Sequence, residues 1–258
     1  MSQQKKSKEE LVQKYAESAV SIIPGDENRD IVLLCEHGGQ KVPAAWQNLG
    51  LTNVFFETHF GCDLGSKDLT LAIANRLGAT AIVSQYSRLF LDYNRKKTDP
   101  SCIRTDMAGI PVPGNLNITL EEKELRERIA RKPVEDAVAA WTEGSISKAK
   151  AIISIHSFSP IWENELRRCE IGVMWREDPR LPSKLIEEIK RLKKFKVEEN
   201  QPYSFKENDW FTLDRHGLST GVPNAYIEIR NDLIENSDSK PRLLDILTES
   251  IWSACASL

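Results

Sequence analysis

The segment Ile31–Gly39, with the sequence IVLLCEHGG, is the most informative stretch for the fold. Its first five residues form a short apolar run, which is typical of a strand buried on both faces of a sheet. The run stops at Glu36 and His37, which precede a pair of glycines. A glutamate and a histidine therefore stand at the carboxyl end of the predicted strand, where open α/β sheets bind their ligands.

Apolar runs of the same kind recur along the chain. They predict further strands at Ala79–Ser84, Leu89–Leu91, Ala151–Ile155, Ile171–Trp175 and Ala225–Ile229. Helical periodicity and capping signals predict helices at Glu9–Ile23, Leu64–Leu77, Thr119–Thr142, Pro182–Lys193 and Arg242–Ala256. Strands that alternate with helices indicate an α/β fold, with a mixed, mostly parallel sheet covered by helices on both faces.

Composition narrows the class of protein. The chain has 258 residues, of which 40% are hydrophobic and 28% are charged, as in ordinary folded globular proteins. We expect one domain over residues 1–258, with a core at about 31–234 and terminal helices packed on it. Five scattered cysteines, none spaced as Cys-x-x-Cys, indicate free thiols rather than disulfides or a thiolate zinc site.

Charge and hydrophobicity indicate the kind of partner. The formal net charge of −3 provides no electrostatic footprint for nucleic acid. Residues 2–10 are polar and charged, unlike a signal peptide, and no later segment has the length and hydrophobicity of a membrane span. We therefore expect a cytoplasmic protein with neither a nucleic-acid nor a membrane partner.

Two of the four histidines, His37 and His156, stand at the ends of predicted strands. Two histidines and a carboxylate would leave one position open, as in catalytic zinc sites. Asp63 and His59 are both candidates for the third ligand, because both lie in the stretch that leads into the predicted helix at Leu64. Asp63 could instead be a helix N-cap, and each histidine could be an ordinary core or turn residue.

The strand that contains Glu228 offers a second group of candidates. Alternation places Tyr226, Glu228 and Arg230 on one face. If this face lines the crevice, Glu228 is a candidate general base for water and Arg230 is a candidate clamp for a substrate carboxylate. The alternative is that Glu228 is a solvent-facing strand residue.

Polar residues also surround the apolar run Leu89–Leu91. The flanking residues Arg88, Asn94 and Arg95 are candidates for binding substrate, because guanidinium groups match planar anions. Alternatively, they form structural ion pairs. His216 is a further candidate, for an oxyanion or a product, or else it is a surface loop histidine.

Six motifs, taken in order, resemble the N-formylglutamate amidohydrolase family from about Ile31 to Ile234. They are CEHGGQKVP at Cys35–Pro43, HFGCDLG at His59–Gly65, SRLFLDYNR at Ser87–Arg95, IPVPGN at Ile110–Asn115, IHSFSP at Ile155–Pro160 and EIRNDL at Glu228–Leu233. The resemblance implies the phosphorylase/hydrolase-like fold of zinc carboxypeptidases. It also implies hydrolysis of the N-formyl, or another small N-acyl, amide of an acidic amino acid such as N-formyl-L-glutamate.

The resemblance implies roles for individual residues. His37 and His156 would hold Zn2+, or another divalent metal, and Glu228 would activate water. Deacylase relatives carry a glutamate ligand three residues after the first histidine, but Gln40 stands there in this chain. Asp63, which matches the family's own motif, is therefore the predicted carboxylate ligand.

The resemblance further implies that Asn94 and Arg95 bind substrate. From the residues themselves we add Arg88, Arg230 and His216 as substrate-binding candidates. Two alternatives stay open. One is a zinc deacylase or carboxypeptidase-like enzyme that acts on another N-acyl amino acid or a peptide, and the other is a metal-free binding protein on the same fold.

Overall fold

The computed structural model describes residues 3–143, 149–203 and 211–258. Its strands are β1 Val20–Ile23, β2 Asn28–Cys35, β3 Ala79–Ser84, β4 Asp106–Met107, β5 Ile110–Pro111, β6 Ala151–Phe158, β7 Ile161–Trp162, β8 Glu165–Leu166, β9 Ile171–Met174, β10 Val197–Glu199 and β11 Asn224–Arg230. Its α-helices are α1 Gln3–Ala16, α2 Ser66–Leu77, α3 Leu120–Arg126, α4 Lys132–Thr142, α5 Arg180–Leu192, α6 Phe211–His216, α7 Asn231–Glu235 and α8 Ser239–Ala256. A π-helix at Glu127–Arg131 joins α3 to α4.

A seven-stranded sheet, in the order β1-β3-β2-β6-β11-β9-β10, forms the centre of the fold. The strands β3, β2, β6 and β11 are parallel to one another, whereas β1 pairs antiparallel with β3 and β9 pairs antiparallel with β11. The remaining strands form two short hairpins, β4-β5 and β7-β8. The predicted mixed, mostly parallel sheet is therefore confirmed.

Helices cover both faces of this sheet, as predicted. On one face, Leu33 and Ile153 pack in a buried cluster with side chains of α2, α5 and α8. On the other face, Val32 and Ile152 pack with side chains of α4 and α6. Because both faces are buried, the strands read as continuous apolar runs in the sequence.

Several helix ends follow from the signals in the sequence. Thr119 accepts a hydrogen bond from the backbone NH of Glu122 (3.2 Å) and caps α3. Gly78 ends α2 in the left-handed conformation, with φ of 61°, which a glycine adopts without steric cost. No helix of the described residues is both long and apolar enough to cross a membrane.

Two predicted elements are wrong. The first helix ends at Ala16, and Val20–Ile23 is instead the edge strand β1, because its β-branched residues pair with β3. The run Leu89–Leu91 is not a strand. It is a buried turn in which the backbone NH groups of Phe90 and Leu91 donate to the carbonyl of Ser87 (2.9 and 3.4 Å).

Candidate active site

The candidate site lies at the carboxyl ends of the central strands β2, β6 and β11. His156 of β6 lies opposite Glu228 of β11 in the parallel register, and His37 follows the last residue of β2 by two positions. The rings of His37 and His156 are 5.0 Å apart between centroids. The parallel order of these strands thus brings residues from distant parts of the sequence to one edge.

His37, Asp63 and His156 form a buried group, which we call the ligand cluster. One nitrogen of each histidine and one carboxylate oxygen of Asp63 all lie within 4.8 Å of one another. Asp63 Oδ2 is 2.8 Å from His156 Nδ1 and 3.5 Å from His37 Nδ1. Two imidazoles and one carboxylate are a donor set that suits a divalent metal such as zinc.

Further polar groups fix the orientation of both histidines. His37 Nε2 is 2.8 Å from Asp92 Oδ1. His156 Nε2 is 2.8 Å from Ser154 Oγ and 3.3 Å from Glu36 Oε2, and Ser154 itself donates to Glu36. With Nε2 as the donor in each ring, the Nδ1 atoms, which both face Asp63 Oδ2, would be the nitrogens that bind a metal. This is the outer shell that metal-binding histidines characteristically have, so these residues fit a metal.

Electrostatics also favour a cation here. Burial would raise the pKa of Asp63, but His37 and Arg88 outweigh it and hold that pKa well below its ordinary range. Burial would lower the pKa of His156, but the carboxylates of Glu36 and Asp63 raise it well above its ordinary value. The raised pKa of His156 beside Asp63 indicates that metal binding at this position would displace a proton.

The contacts of Asp63 and His59 distinguish the two candidates for the third ligand. Asp63 does not cap α2, since its carboxylate contacts His156 and Arg88, and the residue before the helix is Gly65 without a side-chain cap. His59 Nδ1 is 3.8 Å from Asp63 Oδ1. Among the described residues, the geometry groups Asp63 rather than His59 with His37 and His156.

Glu228 is not a solvent-facing residue, since only 7% of it is exposed. Burial raises its pKa to about 7, with repulsion from Asp63 acting against the attraction of His156. Its Oε2 atom is buried and has no hydrogen-bond partner among the described residues. A carboxylate with a pKa near neutrality and an oxygen that no group of the described residues hydrogen-bonds is suited to accept and return a proton.

Asn94 is held so that its amide has a defined orientation. The hydroxyl of Tyr226 accepts from the backbone NH of Leu213 (3.1 Å) and donates to Asn94 Oδ1 (2.9 Å), which also accepts from the backbone NH of Thr212 (3.2 Å). These bonds leave Nδ2 of Asn94 as the group that can donate to a substrate. The adjacent Arg95 is half-buried, and no carboxylate of the described residues forms an ion pair with it.

Arg88 and Arg230 both hold carboxylates of the protein. Arg88 donates through Nη1 to Asp63 Oδ1 (3.0 Å) and through Nη2 to Asp92 Oδ2 (3.2 Å). Arg230 donates through Nε (2.8 Å) and Nη2 (3.2 Å) to Asp232. A substrate would compete with these internal partners, and binding of substrate by either arginine stays a prediction.

His216 is buried in α6 rather than exposed in a surface loop. Burial, with the positive charge of Arg215, lowers its pKa to about 4, and Nδ1 has no hydrogen-bond partner among the described residues. No hydrogen bond or ion pair in the described part of the chain links it to the ligand cluster. Its role in binding an oxyanion or product stays a prediction.

Sequence reasoning missed Ser154 and Tyr226 as parts of the site. Both lie on the same face of their strands as His156 and Glu228, respectively, because they precede those residues by two positions. A serine within an otherwise apolar strand was the available signal. Nothing in the local pattern indicated that Tyr226 would orient Asn94.

Two buried arginines were also missed. Arg126 donates to the carbonyls of Phe90 (3.2 Å) and Gly114 (2.8 Å). Arg131 donates to the carbonyls of Asp92 (2.9 Å) and Tyr93 (2.5 Å). Both therefore support the segment that carries Asp92 and Asn94. In a predicted helix such residues look like an ordinary charged face, and no sequence signal revealed the π-helix that contains Arg131.

Comparisons with known proteins identify the family and the fold of the chain. The family model of N-formylglutamate amidohydrolase matches residues 29–235. The crystal structure of gene product Atu2144 from Agrobacterium tumefaciens is similar, with a TM-score of 0.85 and 28% identity over 93% of this chain and 96% of that one. N-formylglutamate amidohydrolase from Ralstonia eutropha JMP134 has the same fold, with a TM-score of 0.70 and 18% identity over 92% of this chain and 97% of that one.

No curated protein sequence matches the chain. The family model nevertheless spans most of the 258 residues and contains every member of the ligand cluster as well as Glu228. The chain belongs to the N-formylglutamate amidohydrolase family.

Proposed function

We propose that this protein hydrolyses the N-formyl, or another small N-acyl, amide of an acidic amino acid, with N-formyl-L-glutamate as the representative substrate. Membership of the amidohydrolase family supports hydrolysis of an amide. The observation that carries the proposal is the ligand cluster, with its three donor groups within 4.8 Å, beside the buried Glu228, whose Oε2 atom has no hydrogen-bond partner among the described residues.

Zinc is the proposed metal, held by His37, Asp63 and His156. When bound, zinc would polarise the scissile carbonyl and make water more acidic. Asp92 would orient the ring of His37 for metal binding, and Ser154 with Glu36 would do the same for His156. These outer contacts are proposed to set the metal affinity of the site.

Glu228 is the proposed general base and acid. Its pKa of about 7 allows it to take a proton from the attacking water and then return the proton to the leaving amine nitrogen. Its Oε2 atom has no hydrogen-bond partner among the described residues and is therefore the proposed site of this transfer, while the parallel register holds the residue next to His156.

Asn94 and Arg95 are proposed to bind the substrate next to the scissile amide. Nδ2 of Asn94 would donate to a carbonyl or carboxylate oxygen, and Arg95 would pair with a carboxylate. Arg88 holds Asp63 and Asp92 in place, and its contact with the substrate remains part of the proposal. Arg230 and His216 remain proposed contacts to substrate or product.

The test is hydrolysis of N-formyl-L-glutamate by protein purified without chelator, with release of the free amine as the readout. We expect turnover that a chelator abolishes and that stoichiometric zinc restores. Turnover of N-acetyl but not N-formyl substrates would identify a related deacylase. Protein that binds no metal and hydrolyses neither class would contradict the proposal and favour a binding protein.

A further inference from the structure

Arg167 differs from Arg88 and Arg230, the site arginines that hold carboxylates of the protein. Its Nη1 atom donates to the carbonyl of Ser159 (3.4 Å) and the hydroxyl of Tyr203 (3.3 Å). Within the described residues no carboxylate pairs with Arg167, and its Nε and Nη2 atoms have no hydrogen-bond partner. This half-buried cation is therefore available to an anion from outside the protein.

Three aromatic rings hold the guanidinium of Arg167. Its central carbon lies 5.4 Å from the ring centre of Phe158, 5.1 Å from that of Trp162 and 5.1 Å from that of Tyr203. Aromatic faces attract a cation without neutralising its charge. The rings thus restrict the side chain and leave its hydrogen-bonding edge for another partner.

The backbone places Arg167 just beyond the ligand cluster. Phe158 follows His156 by two residues on the same face of β6, a distance of about 6.7 Å along the strand. The backbone NH of Arg167 donates to the carbonyl of Pro160 (2.8 Å), and its carbonyl accepts from Arg230 (2.9 Å), the register partner of Phe158. Arg167 therefore contacts Phe158, one step past His156 toward the carboxyl end of β6.

We propose that Arg167 binds the side-chain carboxylate of the acidic substrate and so determines specificity, an inference that rests on the proposed function. Its unpartnered Nε and Nη2 atoms form the same guanidinium edge with which Arg230 holds Asp232. A carboxylate matches this edge with two parallel hydrogen bonds.

The position favours the side-chain carboxylate over the α-carboxylate. In N-formyl-L-glutamate one carbon separates the amide nitrogen from the α-carboxylate, whereas three carbons separate it from the side-chain carboxylate. Asn94 lies next to Asp92, to which its backbone NH donates (2.9 Å), and is therefore close to the ligand cluster and suited to the nearer group. Arg167 contacts the last residue of β6, beyond His156, and is suited to the more distant group.

The experiment compares the zinc-loaded variants R167M and R167K with R168M. Arg168 is the adjacent exposed arginine, so R168M removes one charge from the same segment. Substrates are N-formyl-L-glutamate and its uncharged isostere N-formyl-L-glutamine. For R167M we expect kcat/KM to fall about a hundredfold on the glutamate substrate, mainly through KM, and to change less than about threefold on the glutamine substrate. R167K should be intermediate and R168M unchanged.

Equal losses of kcat/KM on both substrates, or no loss on either, would overturn the proposal. Zinc content checks that R167M is folded, because the ligand cluster exists only in the folded chain. If the wild type hydrolyses neither substrate, the proposed function fails, and calorimetric binding of L-glutamate to the zinc-loaded protein then tests Arg167 separately. Binding that is lost in R167M and kept in R168M supports the proposal, and equal binding to both variants overturns it.

Discussion

Replacement of Glu228 by glutamine should separate catalysis from stability. Glutamine preserves the size of the side chain but can neither ionise nor transfer a proton. If Glu228 is the general base, kcat should fall by about a hundredfold to ten-thousandfold while the zinc content is unchanged. The ligand cluster does not include Glu228, so the metal should remain.

The structure also predicts the sign and size of a change in stability. Burial raises the pKa of Glu228 from 4.5 to about 7. Between these values the folded protein binds a proton that the unfolded chain has released, so the free energy of unfolding decreases as the pH rises through this window. At pH 8 the raised pKa lowers the free energy of unfolding by about 3 kcal/mol, because each pKa unit corresponds to about 1.4 kcal/mol.

Glutamine does not ionise, so its burial does not lower the free energy of unfolding as the pH rises. We therefore expect Glu228→Gln to increase the free energy of unfolding of the metal-free protein by about 3 kcal/mol at pH 8 and by less than about 1 kcal/mol at pH 5. Urea denaturation of wild type and variant at both pH values measures the difference. The control is Glu235→Gln, which changes an exposed glutamate and should alter neither activity nor stability.

Three results would refute this reasoning. A variant that retains full activity would exclude Glu228 as the base. Loss of zinc together with activity would place Glu228 among the metal ligands. A stability difference that is the same at pH 5 and pH 8 would show that the carboxyl group does not titrate with a raised pKa, even if the activity is lost.

Three further predictions concern the metal and the pH dependence. His37→Ala should lose most of the bound zinc, because one of three protein ligands is removed, whereas His59→Ala should keep it, as measured by metal content after dialysis. Asp92→Asn should weaken zinc affinity about 10-fold to 100-fold in a chelator competition, since it disturbs the partner of His37 Nε2. Unchanged affinity would mean that Asp92 does not orient the ligand. For the zinc enzyme, kcat/KM should fall as the pH drops through about 7 or below, because the base Glu228 must be ionised and a bound cation favours its charged form. An acidic limb centred above pH 8 would exclude Glu228 as the base.

Local patterns in the sequence predicted the inner strands of the sheet and part of the site, but they missed the edge strands β1 and β10. His37 and His156 follow or end apolar runs, and parallel strands present such ends at one edge. Alternation placed Glu228 on the same face of β11 as Tyr226, but whether that face was exposed depended on packing that alternation does not encode.

Other parts of the site depend on contacts between distant segments. Asp63 joins the cluster because its loop returns to β2, where its backbone NH donates to the carbonyl of His37 (2.9 Å). No periodicity encodes that return, and only the family resemblance favoured Asp63 over His59. Likewise, the sequence suggested that Arg88 and Arg230 clamp a substrate. In the structure Arg88 binds Asp63 and Arg230 binds Asp232, and local sequence patterns do not encode these side-chain contacts.

The parallel pairing of β2 with β6 has a consequence for the order of events during synthesis. These neighbouring strands are far apart in the chain, and Asp63 and His156 are separated by 93 positions. A nascent chain on the ribosome cannot complete the ligand cluster until β6 has emerged and docked beside β2. Tight metal uptake should therefore be a late step in biogenesis, and the appearance of bound metal would report when β6 has docked beside β2.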